Sequence, residues 1–101
     1  MIFHITTQAQ WENAKTTGWV DAASLAAEGF IHMCYPNQLE GVLSRHFSGK
    51  SDLIKLTIDL ELIKDRVKVE YAAKPNDSFP HCYGKIPLNA VIANEEIKSS
   101  S

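Results

Sequence analysis

The chain is poor in the features that would assign it quickly. It has two cysteines, Cys34 and Cys82, which do not form a CxxC pair, so redox and zinc-ribbon chemistry lack their usual spacing. No apolar run approaches the roughly 20 residues that cross a bilayer. The start, MIFHITTQAQW, carries neither the basic residues nor the apolar stretch of a secretory signal. These absences predict a cytoplasmic protein with reduced thiols. Charge of one sign is also missing: 10 Lys and Arg stand against 12 Asp and Glu, a net charge of −2, scattered along the chain. No basic patch invites nucleic acid or an anionic membrane. GxGxxG and a phosphate loop ending in GKS or GKT are absent, which removes the usual Rossmann and P-loop signals.

What is present reads as one folded domain over residues 1–98, with a frayed tail at 99–101. Hydrophobic residues make up 45% of the 101 and charged ones 22%, an ordinary balance for a packed core. IFHI predicts a first strand. Thr7 followed by Gln10 has the spacing of a capping box and opens a helix through Trp11 and Ala14, closed by Gly18. Asp21 is the expected cap of a short helix, AASLAAE, ended by Gly29, and FIHMC follows as a strand. A third helix starts near Pro36 with the stripe Leu39, Val42, Leu43 and Phe47. DLIKLTIDL alternates at period two, as does VKVEYA, where Val67, Val69 and Tyr71 are expected inward. KPNDSF predicts a loop, and AVIANEEI a closing strand. Helices gather in the N-terminal half and strands follow, which predicts a mixed α+β fold.

Three of the four histidines sit in apolar settings: His4 in IFHIT, His32 in EGFIHMC and His81 in FPHCYG. Strand parity predicts that Phe3 and Ile5 face the core while Ile2, His4 and Thr6 turn away. The same argument sends Ile31 and Met33 inward, and Phe30, His32 and Cys34 to the opposite face. Lys68 and Glu70 then share a face opposite Val67 and Val69. His4, His32 and Glu70 can meet at one partly apolar cleft, joined by His81 from the loop before the last strand. Each histidine alone has an ordinary structural use, bonded to a carbonyl or water. Glu70 can equally be a solvated strand residue. His46 beside Arg45 reads as surface or helix-end structure, and Arg45 can hold an anionic ligand or pair with an acid. His4, His32 and His81 with Cys34 or Glu70 would make four zinc ligands, yet none of them has the short spacing of zinc motifs, and no metal is expected. Cys34 and Cys82 each lie near a histidine in sequence, but nearness along a strand does not give a nucleophile–base hydrogen bond, so covalent catalysis ranks low.

FHIT, SLAAEGFIHMC, QLEGVLSRHF, LIKLTIDLELI, VKVE and FPHCYG occur in this order from Ile2 to about Val91. In that order they resemble the domain-of-unknown-function family numbered 952, found in bacteria and plants. The chain departs from it where Met33-Cys34 stands in place of Cys-Ser. The resemblance implies an ADP-ribosyltransferase-like fold, a split and bent β structure clasping NAD. On that likeness His4 matches the first-strand histidine that holds a ribose, with Ile5 where a glycine usually follows. Glu70 matches the later glutamate that polarises the ribose under attack. The reading is then an NAD or ADP-ribosyl small-molecule site with Glu70 and His32 catalytic, and His4, His81, Tyr83 and Arg45 binding. The alternatives are a binding module without turnover and a metal-dependent enzyme.

Overall fold

The computed structural model describes residues 1–97; the tail expected at 99–101 lies outside the described residues. The β-branched and aromatic residues of IFHITT form β1 (Ile2–Thr7). Thr7 ends it and caps α1 (Gln8–Thr17), its Oγ1 accepting from the Gln10 N–H at 3.1 Å. Gly18 closes α1 at φ 87, donating to the Ala14 carbonyl. A two-residue β2 (Trp19–Val20) precedes α2 (Ala23–Glu28) and β3 (Ile31–His32). A 3₁₀ turn, Pro36–Gln38, leads into α3 (Leu39–His46). β4 (Leu53–Ile58), β5 (Val67–Ala72), β6 (Asp77–Cys82), β7 (Ile86–Pro87) and β8 (Val91–Ile97) complete the chain.

The fold is mixed α+β with three antiparallel sheets, ordered β1-β4-β8, β2-β7 and β3-β6-β5. An isolated Phe3–Cys34 bridge links the first sheet to the segment after β3, with reciprocal bonds of 2.8 and 2.9 Å. Ile2, Ile31, Leu56, Ile58, Ile63 and Ile86 are sealed in the core, with Trp11 and Val20 packed beside them. Cutting one of these, such as Leu56, to alanine removes about 2–5 kcal/mol.

Several expectations are corrected. Helical turns are not concentrated in the N-terminal half, because 3₁₀ turns recur at Leu60–Leu62, Lys64–Arg66 and Leu88–Ala90. Asp21 is not the cap of α2: Ala22 stands there without a side-chain cap, and Asp21 accepts from its N–H instead. FIHMC is not one long strand, since only Ile31 and His32 pair with β6. Pro80 explains that limit: Met33 N–H donates to its carbonyl at 3.1 Å, but proline has no N–H to return. The loop expected over Lys74–Phe79 is cut short: β6 begins at Asp77 and is the central strand of its sheet, so His81 is a strand residue and not a loop residue.

Two parity assignments also change. In β1 the face carrying Ile2, His4 and Thr6 is opposite Ile58, Leu56 and Ile54, so it is the core face. Phe3 and Ile5 pair with Thr57 and Lys55, and Lys55 lies over the Phe3 ring. In β5 the alternation holds, but the core reaches only Val67; Val69 and Tyr71 are 57% and 64% exposed on an edge strand.

Candidate functional site

Directly opposed residues of an antiparallel pair share a face. His32 opposes His81 across β3 and β6, while Lys68 opposes His81 and Glu70 opposes Phe79 across β6 and β5. One face of this small sheet therefore carries both imidazoles, and their ring centroids are 5.3 Å apart. Gly29, left-handed at φ 92, ends α2 and turns the chain so that Phe30 reaches the same place. The Phe30 ring stacks on His81, centroids 4.0 Å apart and 12° from parallel, and meets His32 edge-on.

Each of the two histidines has its own carboxylate. His32 Nε2–H donates to Glu28 Oε2 at 2.8 Å, and His81 Nδ1–H donates to Glu70 Oε1 at 2.8 Å. An ionised carboxylate only accepts, so these bonds place the protons and leave His32 Nδ1 and His81 Nε2 without a hydrogen-bond partner among the described residues. Tyr83 donates its hydroxyl to the same Glu70 oxygen. Donation from Tyr83 and then from His81 holds the Glu70 carboxyl below the usual range, and the bond to Glu70 pushes the Tyr83 hydroxyl up.

His4 comes to this region from β1. Its Nδ1–H donates to the His32 carbonyl at 2.8 Å, and its Nε2 is buried with no partner among the described residues. Burial is the main reason its pKa lies below the ordinary value; the bond to the His32 carbonyl partly opposes it. A neutral ring with Nδ1 protonated presents Nε2 as an acceptor.

A cavity of about 710 Å³ is lined by His4, His32, His81 and Glu28 among others. Its walls are largely apolar and include Phe3, Phe30, Phe47 and Phe79. The volume lies within the range of small-molecule sites, roughly 300–1,000 Å³. Glu70, Tyr83 and Arg45 are not in the lining. Glu70 and Tyr83 stand behind His81, and the Arg45 guanidinium lies 6.0 Å from the centre of the Phe79 ring. Among the ionisable lining residues, Glu28, His46 and Asp21 were not anticipated as site residues. The four-residue spacing of Glu28 and His32 was the available signal for the first, masked by the glycine that ends the helix between them. His46 gave only its place at the end of α3.

Cys34 and Cys82 are buried free thiols, each pushed up to about 11 by burial. A thiol so raised is a poor nucleophile at neutral pH. Among the described residues no three His, Cys, Asp or Glu side chains are grouped to hold one metal ion. Also among them, no helix is long and apolar enough to cross a membrane.

This fold and site define a small α+β protein with a histidine-bearing cavity. Residues 5–94 match the family described as "Protein of unknown function (DUF952)", and the chain belongs to that family. The crystal structure of protein CC0527 from Caulobacter crescentus is similar to it, with a TM-score of 0.88 and 26% identity over 96% of this chain and 85% of that one. The solution structure of CC0527 is similar with a TM-score of 0.82, again at 26% identity, over 96% and 84% of the two chains. Comparison with curated proteins gave no match.

Proposed function

We propose that this cavity binds a ribosyl-bearing small molecule of the NAD or ADP-ribose type, with His32 and His81 as its proton-transfer groups. The observation that carries this reading is the pair of imidazoles 5.3 Å apart on the wall of an apolar cavity, each braced by a carboxylate on its other nitrogen. Such bracing fixes tautomer and ring orientation, as general acid–base catalysis requires. At the ribosyl C–N bond of NAD the nicotinamide would leave as a neutral base, taking the bonding electron pair from its cationic ring, so no proton need be supplied to it. A neutral imidazole, His32 or His81, would take the proton of the water that bonds to the anomeric carbon. The ADP-ribosyltransferase-like reading of the fold belongs to this proposal, and two three-stranded sheets meeting at the Phe3–Cys34 bridge support it.

A second reading, binding without turnover, is favoured by the position of Glu70. The carboxylate expected to polarise a ribose stands behind His81, outside the cavity lining. Thermal melting with millimolar NAD and ADP-ribose, followed by chromatography for released nicotinamide, tests both readings. Binding only the folded state raises the melting temperature. A rise with nicotinamide release supports the enzyme, and a rise without it supports the binding module. No rise with either ligand overturns the proposal.

A further inference from the structure

We infer that the cavity takes the non-anionic, ring-bearing end of its ligand, the nucleoside or N-glycosyl pyridinium part, and leaves any phosphate in solvent. The inference rests on the ligand reading above and names which part of such a molecule is buried.

Charge argues first. Among the described residues, no lysine or arginine lines the cavity, whereas Asp21 and Glu28 do. The nearby cations stand outside the lining and are engaged elsewhere, Arg45 and Lys50 over the rings of Phe79 and Phe47. Lys55 is paired with Glu95 and lies over Phe3, and Lys85 is paired with Asp21. A phosphate brought inside would lose its water, find no permanently charged cation in the lining, only imidazoles of which His32 and His81 are already bound to carboxylates, and face the Glu28 carboxylate. The walls argue second. Four phenylalanines line the cavity, and Phe30 already holds one flat ring, that of His81, at stacking distance. Aromatic faces accept uncharged heterocycles by stacking and cationic rings more strongly, through the negative face of the π system.

Calorimetric titration with adenosine, nicotinamide riboside, their 5′-monophosphates, ADP-ribose and NAD, at low and moderate salt, tests this. Each nucleoside is expected to bind at least as tightly as its monophosphate, and nicotinamide riboside, which carries a positive ring, more tightly than adenosine. Glu28→Gln should shrink that preference for the cationic ring by roughly two- to fivefold, the scale of one half-exposed charge contact. Asp21→Asn is the second variant, read by the same ratio if Glu28→Gln folds poorly. A monophosphate binding ten times more tightly than its nucleoside, by a margin that salt erases, overturns this inference and leaves the ligand reading standing. Failure of every compound to bind overturns both.

Discussion

The ring of His81, next to the last residue of β6, lies face to face with the ring of Phe30, from the turn after α2, at 4.0 Å between centroids. The contact ties the turn made by Gly29 to the small sheet and places one catalytic candidate against an apolar wall. Phe30→Leu keeps the apolar character and removes the stack. It is expected to cost about 0.5–1.5 kcal/mol in urea unfolding beyond the change in buried area. Any ligand-induced rise in melting temperature should shrink with it. Unchanged stability and an unchanged ligand response would show that the stack positions nothing.

His4 makes stability fall in mild acid. Its folded pKa is lowered from 6.5, mainly by burial, so the unfolded chain takes up the proton more readily. That favours the folded state above the unfolded value, and the advantage is lost as pH falls from about 6.5 towards the lowered folded value. One proton bounds the slope at about 1.4 kcal/mol per pH unit. Glu70 and Asp77 are also lowered, by bonds from Tyr83 and Gln38 respectively, and their loss comes at lower pH, through the carboxylate range. Urea unfolding at pH 7.5, 6.5 and 5.5 should show the decline, and His4→Gln should flatten it. Equal slopes in both proteins would place the titration elsewhere.

The two thiols should be silent in the native protein. Cys34 and Cys82 are buried and raised to about 11, so a disulfide-exchange reagent at pH 8 is expected to label neither within minutes. Both should react at once in denaturant. Rapid native labelling of Cys34, which lines the cavity, would mean that the cavity opens more readily than its packing implies.

Gln38 is the hinge-pin of the segment before α3. Its side-chain oxygen accepts from Tyr35 N–H at 2.9 Å, while its amide donates to Ser78 O at 2.8 Å and to Asp77 at 3.0 Å. Gln38→Leu fills the same space and strands the Tyr35 N–H and the Ser78 carbonyl. A loss of roughly 2–4 kcal/mol is expected, from one or two unsatisfied buried groups at about 1–3 kcal/mol each. Chemical denaturation measures it, and a loss below about 0.5 kcal/mol would mean that water replaces these bonds.

Gly29 sets the approach to Phe30 and His32. At φ 92 with open space around the missing Cβ, Gly29→Ala meets no clash, so its cost is conformational, about 1 kcal/mol. Gly29→Asn, which tolerates the left-handed region better, should recover part of it.

Local chemistry was enough to read many elements from the sequence. Thr7 capping α1, Gly18 and Gly29 closing helices, and the strict alternation of β4 depend on residues within one turn or one strand of each other. For the same reason the sequence marked His4, His32 and His81 as unusual: each is a polar ring set among apolar neighbours in the chain. Alternation says which residues share a face but not which face is covered, and that only the tertiary structure decided. β1 turned its His4 face to the core because Ile54, Leu56 and Ile58 lie opposite, and β5 left Val69 and Tyr71 in solvent because it is an edge strand. FPHC became a central strand because two neighbouring strands supplied its hydrogen bonds, despite a proline that local rules assign to a loop or an edge. Glu28 reached His32 through a four-residue spacing already present in the chain, whereas Glu70 was brought to His81, outside the cavity lining, by the register of β5 on β6. No local pattern carries that register.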